Sequence, residues 1–368
     1  MLITSVDIWT VVVPAWPDRV NSPEWVPKVG WDTLSKHIIR VNTDTEFYGL
    51  GETLRGVASE DVRAGAHRLL GRDPESIPLQ NVFEERTDGE EEWLETGAGQ
   101  VYPAFEMALF DLIGRLRQMP VHQLLGGAVR DRVRTDYWMG QQTPQDSQRT
   151  VRRALEQGFK GIKIKCKIED PMVERLAAIL EVGGPDFKVT VDPNQRFRTA
   201  EQTIALAAEL EKLGNVEVFE DPIPQADLDG YRQIHAAINI PLAMHLREGP
   251  AIIRAVQAGV VDCVNLAGGL VRFVKMAAVA EAAGLRCWHG SGVDLGITEH
   301  SYLHAASVAP NCTMASDMVG SWVRQDDLIK EGLVFVDGFA PTPMAPGLGC
   351  ELDEPALERY RQGHEQMA

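Results

Sequence analysis

The sequence predicts an α/β protein in which an α+β segment of about 125 residues precedes a (β/α) barrel. Three observations predict it. Beyond residue 126, RTDYWMG, GIKIKC, KVTVDPN, VEVFEDP, PLAMH, VDCVNLA, RCWHGSG and CTMASDM read as eight strands alternating with helical stretches, and eight such repeats close a barrel of the TIM type. Polar residues recur at the strand ends. Lys165, Asp192, Glu220, His245, Asn265, His289 and Asp317 follow one another at intervals of 20–28 positions, the length of one βα unit. Ahead of the barrel, residues 1–13 and 36–49 read as antiparallel strands and 101–118 as a helix by its 3.6-residue spacing.

The opening MLITSVDIWTVVVPAW is apolar without a basic flank or a clear cleavage site, so it reads as a first strand rather than a signal peptide. Residues 15–31 are rich in Pro and Trp and read as a loop. It is either an active-site lid or a structural loop whose Trp16, Trp25 and Trp31 pack on the body. Helices are expected within 147–158, 172–183, 199–214 and 272–284. His300 and His304, four apart on a further helix, lack the Glu of an HExxH motif and read as a helix surface. Gly268–Gly269 opens a helix and could cradle an anion.

The formal net charge of −17 argues against nucleic acid, which needs clustered Lys and Arg, but not against a small anion met by a few local cations. No apolar run is long enough to span a bilayer, which excludes a membrane span. The five cysteines are dispersed and form no CxxC, as in a reducing compartment, so the reading is cytoplasmic.

The chemistry-bearing residues cluster in four strands. Period two puts Lys163 and Lys165 of GIKIKC on one side of their strand. Neighbouring ammonium groups lower each other's pKa, which would suit a general base, although a solvated strand end would carry such a pair too. Asp192 and Glu220 each end an apolar strand. Two carboxylates on successive strands suit a hard divalent ion, whereas either alone would suit an N-cap or a turn. His289 could be an acid or base, or a core histidine satisfied by hydrogen bonds. Trp288 beside it could pack on a ligand or in the core.

Together these residues resemble the enolase superfamily, in its mandelate racemase and muconate lactonizing enzyme branch. FEMALFDLIGRLRQMPVHQLLGG, GIKIK, VDPNQRF, FEDP, GGLVRFVKMAAVAEAAG and PGLGCELDE are similar to the family's motifs, in its order, over nearly the whole chain. The resemblance implies an α+β capping domain over 1–125 with a lid near 15–31, a catalytic (β/α) barrel over 126–335, and a segment over 336–368 that returns to the capping domain. It implies that Lys165 is the acid/base, that Lys163 lowers its pKa, and that Asp192 and Glu220 hold Mg²⁺. It also implies a small carboxylate substrate and a homo-oligomer. Three departures stand out. His245 replaces the fifth-strand carboxylate and as a nitrogen donor favours Mn²⁺ or another divalent ion. The sixth strand is shortened and offers Asn265 where the family places Lys or Asp. Asp317 matches the eighth-strand acid only loosely.

The family's common step is abstraction of the proton alpha to a carboxylate, giving an enolate stabilised by a cation. Lys165 as base with His289 as acid fits dehydration of a hydroxy carboxylate such as a sugar acid. The alternatives are a racemase, epimerase or cycloisomerase, and a barrel that binds a ligand without catalysis.

Overall fold

The computed structural model describes residues 1–25, 32–82, 97–318 and 320–368. The N-terminal strand β1 (Ile3–Pro14) and its neighbour β2 (Thr33–Thr43) pair antiparallel, with Val6 opposite Val41 and Val11 opposite Lys36. The expected strand over 36–49 is two strands. It breaks at Asp44–Glu46, where the Thr43 hydroxyl donates to Phe47 O at 2.8 Å and closes the turn into β3 (Tyr48–Glu52). Helices Ser59–His67 and Gly97–Leu116 cover one face of this sheet. The apolar layer between them includes Val6, Ile39, Val41, Val62, Phe105 and Leu109. The 3.6-residue periodicity read over 101–118 therefore marks a buried helix that begins slightly earlier.

A short strand β4 (Arg132–Arg134) leads into the barrel. Seven parallel strands follow in chain order: β5 (Tyr137–Met139), β6 (Gly161–Lys165), β7 (Lys188–Asp192), β8 (Val216–Glu220), β9 (Leu242–Leu246), β10 (Cys263–Leu266) and β11 (Arg286–His289). The eighth segment, CTMASDM, joins by single bridges rather than as a strand. Cys312 bridges Cys287 on one side, and Ser316 bridges Thr135 on the other. Ser316 O accepts from Asp136 N at 2.9 Å, so the wall closes. Three of the intervening helices start where short polar side chains cap them. Thr143 accepts from Asp146 N, Thr199 from Gln202 N and Asp227 from Gly230 N.

Alternation along the strands sorts the barrel into two apolar layers. Ile162, Ile164, Val189, Val191, Leu242, Met244, Val264 and Leu266 face outward into the layer beneath the helices. The lumen holds a smaller plug of Val218, Ala243, Cys263, Trp288 and Met314. Beyond the barrel, β12 (Phe339–Pro341) pairs with β4, and β13 (Arg361–Met367) adds to the free edge of β1, with Ile8 opposite Glu365. Among the described residues no helix is long and apolar enough to cross a membrane.

Two smaller expectations change, and a third is described in part. His300 and His304 are buried, not on a helix surface, because the whole of helix Gly296–Val308 is enclosed. His304 accepts from His122 N at 3.1 Å and contacts Leu348 O through its other nitrogen. The helix opened by Gly268–Gly269 does meet an anion, but it is the chain's own Glu106, which accepts from Val271 N at 3.2 Å. A Cβ on Gly269 would collide with that carboxylate. Of the loop expected as a lid, residues 16–22 are stitched to the body, with Trp16 N on Val323 O and Ser22 N on Gln141 O. Trp16 itself is exposed; Trp31 and the rest of 26–31 lie outside the described residues.

Candidate active site

The plug beneath the lumen is apolar, so polar side chains further along the strands collect at the C-terminal ends, the catalytic face of such barrels. Strand β6 sends Lys163 and Lys165 inward while Ile162 and Ile164 fill the outer layer. From β7 and β8, Asp192 and Glu220 point into the same space, and both are fully buried. The Lys163 ammonium lies 3.1 Å from Asp192 Oδ2, 2.7 Å from Glu220 Oε2 and 3.0 Å from Asp317 Oδ2, so one cation meets carboxylates from three places on the wall. Lys165 Nζ donates to Asp192 Oδ2. It is the more open of the two amines, with 24% of its side chain exposed against 2% for Lys163.

The remaining contacts tighten this cluster. Asn265 of β10 donates to Glu220 Oε1 at 2.8 Å, which assigns a part to the residue where the family places Lys or Asp. Trp288 Nε1 donates to Asp317 Oδ1 at 3.1 Å, which settles Trp288 in the core of the lumen. Asn194 N donates to Asp192 Oδ1 at 2.9 Å. Gly290 follows β11 because a Cβ there would run into the Asn265 carboxamide. His245 of β9 faces inward, with Nδ1 3.7 Å from Glu220 Oε1.

The electrostatics follow from burial set against charge. Burial opposes the charge on Lys163, but the carboxylates of Asp317, Glu220 and Asp192 outweigh it and hold its pKa well above the usual lysine range. The expectation of two amines lowering each other is corrected here for Lys163, whose nearest charges are negative. Burial, with the negative Asp192 nearby, pushes Glu220 up to about 8. For Asp192 burial acts upward too, yet Lys165 and Lys163 hold it below the usual carboxylate range. Burial, then Lys163, pushes His245 down to about 3, so its imidazole is neutral.

His289 does not join the cluster. The pairing of β10 with β11 sets Asn265 beside Trp288 and Leu266 beside His289, so Trp288 takes the lumen and His289 the outer layer. Its ring lies between Phe273, at 4.4 Å, and Tyr302, at 4.0 Å, and its Nδ1 meets Gly290 O at 2.8 Å. Burial pushes its pKa down to about 4. The hydrogen bonding expected of a core histidine is met at Nδ1, whereas Nε2 is buried without a hydrogen-bond partner.

The set Asp192, Glu220 and His245 does not fit Mg²⁺ as arranged. Mg²⁺ demands near-octahedral oxygen donors at about 2.0–2.1 Å. Among the described residues no group of three His, Cys, Asp or Glu side chains is spaced to hold an ion directly; Asp192, Glu220 and Asp317 do converge, but on the Lys163 ammonium. An ammonium stands between the two carboxylates, and their outer oxygens are engaged by Asn194 and Asn265.

Residues 146–356 match the family described as enolase C-terminal domain-like, and residues 14–126 match the mandelate racemase / muconate lactonizing enzyme N-terminal domain. The chain belongs to this family. It is an enzyme of the enolase superfamily, whose members in this branch generally use a divalent metal ion. It is 27% identical over 333 residues to the L-Ala-D/L-Glu epimerase of Bacillus subtilis strain 168, covering 86% of this chain and 89% of that one. It is 26% identical over 305 residues to the chloromuconate cycloisomerase of Pseudomonas sp. strain P51, covering 79% of each. Among solved structures, an enolase from Mycobacterium smegmatis complexed with tartrate superposes with a TM-score of 0.84 at 29% identity, over 98% of this chain and 91% of that one.

Sequence reasoning missed a second polar cluster, between the N-terminal sheet and the barrel. Lys36 Nζ meets Glu52 Oε1 at 2.6 Å and Asp294 Oδ1 at 2.7 Å, and all three side chains are fully buried. Glu52 accepts in turn from Leu295 N and Thr298 N, at the start of helix Gly296–Val308. The signal was Lys36 between Leu34 and Ile38 on one face of strand β2, since a lysine on a buried face needs partners.

Proposed function

We propose that this enzyme removes the proton alpha to the carboxylate of a small substrate, with Lys165 as the proton carrier, and that it dehydrates a hydroxy carboxylate of the sugar-acid class. The observation that carries the reading is one-sidedness. Lys165 is the partly open amine at the barrel mouth, whereas β10 offers the uncharged Asn265, already tied to Glu220. An amide cannot exchange a proton near neutral pH, so Asn265 supplies no second base. Elimination of water needs only one carrier. Lys165, as the amine, takes the alpha proton, and the C–H electrons form the enolate. The C–O bond to the beta hydroxyl then breaks, the same ammonium returns its proton to the departing oxygen, and water leaves. His289 has no part in this path, because it lies on the far side of the barrel wall. Tartrate, bound to the Mycobacterium smegmatis relative, is a hydroxy carboxylate, which supports the substrate class.

The relatives named as an epimerase and a cycloisomerase favour a second reading, isomerisation of a carboxylate substrate. Cycloisomerisation also needs one proton carrier, and epimerisation needs a second. Incubation with a sugar-acid panel in D₂O separates the readings. Dehydration yields a keto acid, whereas epimerisation puts deuterium on the alpha carbon without loss of water. Lys165→Ala should lower kcat by about 10²–10⁴, the range of a lost acid/base. Undiminished turnover in that variant would remove Lys165 from the chemistry.

A further inference from the structure

We propose that the Lys163 ammonium is the resident cation of this site and that the protein works without a bound divalent ion. The proposal deepens the enolate reading and rests on it for its catalytic consequence only. Its basis is the arrangement of charge. The fifth-strand carboxylate is gone, and the residue in its place, His245, lies 3.7 Å from Glu220. Asp317, within the eighth segment where the family also places an acid, lies on the opposite flank of the wall. Together with Asp192 and Glu220 it surrounds Lys163 Nζ at 2.7–3.1 Å. The three acids thus converge on a nitrogen that the chain itself supplies.

That nitrogen is hard to displace. The Lys163 side chain is 2% exposed, so leaving would strip the buried Asp192, Glu220 and Asp317 side chains of the donor they share. A divalent ion added without displacement would sit beside a fixed positive charge, in a space with little water to screen it. Glu220 Oε1 and Asp192 Oδ1 each also accept one hydrogen bond, from Asn265 and Asn194, while His245 Nε2 beside them is buried without a hydrogen-bond partner. Asp317 is held in turn by Trp288. The cluster is therefore built around an ammonium.

Titration of the metal-stripped full-length protein with Mn²⁺ and Mg²⁺, followed by calorimetry and by the Mn²⁺ electron-spin signal, tests this without substrate. The wild type should bind neither ion at millimolar concentration. Lys163→Met, which leaves the three acids without their cation, should gain one Mn²⁺ per chain, at least tenfold tighter than the wild type. Stoichiometric Mn²⁺ uptake by the wild type overturns the proposal, and so does a folded Lys163→Met that still binds none. If that variant does not fold, thermal melts of the wild type decide. Superimposable curves with EDTA and with Mn²⁺ support the proposal, and a rise with Mn²⁺ overturns it. Failure to turn over any sugar acid would sink the dehydration reading and leave these ion measurements standing. A metal-binding wild type would leave the role of Lys165 intact.

Discussion

Lys165 and His289 both end a barrel strand, and what separates them is the side of the wall from which each side chain leaves. Lys165 shares its face with Asp192 and Lys163, whereas His289 shares its face with Leu266 and lies between two aromatic rings. Its imidazole is neutral and buried, with Nδ1 on a backbone carbonyl and Nε2 without a hydrogen-bond partner, and the expected role is packing. His289→Asn keeps an amide that can donate to Gly290 O, and it should lower kcat by less than tenfold and leave the pH dependence of kcat unchanged. A fall of about 10²–10⁴ would instead mark a general acid and return His289 to the reaction. The sequence could not set this parity. RCWH is four residues long and both Trp288 and His289 are buried, so alternation has nothing polar to mark the lumen side. In GIKIK two lysines mark it, and there the reading matched the fold.

At the level of elements, the strand-and-helix alternation was legible because each barrel strand has one apolar face and three of the helices start at a capping Thr or Asp. Seven of the eight expected barrel strands form as strands, and the eighth is held by bridges at Cys312 and Ser316. Contacts between distant elements were not legible. Glu106 reads in sequence as one polar residue on an amphipathic helix, yet it caps helix Leu270–Ala282 across the molecule. Burial raises its pKa to about 7, against the pull of the backbone N–H groups it accepts from, and its Oε2 has no hydrogen-bond partner. The folded value lies above the ordinary glutamate value of 4.5, so this stability is complete below about pH 4.5 and is lost as the pH climbs through about 7. The loss is on the order of 3 kcal/mol at most. Glu106→Gln cannot titrate. Urea unfolding at pH 5 and pH 8 should therefore show the wild type losing more stability than the variant over that interval. Parallel losses would mean that Glu106 stays in one protonation state throughout.

For the whole molecule, the question is what fixes the N-terminal sheet to the barrel so that residues 16–22 stay beside the mouth. Lys36 joins Glu52 of the sheet to Asp294 of the loop after β11. Tyr302 donates to the second oxygen of Asp294 at 2.6 Å, and Arg324 ties Asp294 O to Glu299. A buried ion pair adds little against an apolar replacement of both partners, but removing one partner leaves the other charge stranded. Lys36→Met strands two carboxylates and should lower unfolding stability by about 3–5 kcal/mol at pH 7, read from urea midpoints. The pH dependence identifies the cause. Burial acts to raise the Asp294 pKa, but Lys36 holds it below the usual carboxylate value. That part of the wild-type stability is present above about pH 4 and disappears as the pH falls through the lowered folded value. Without Lys36, Asp294 can take up a proton and lose its stranded charge. The gap between variant and wild type should therefore narrow steadily from pH 7 to pH 4. A gap that stays constant would assign the loss to packing of the lysine stem, and the link between sheet and barrel would then be steric rather than electrostatic.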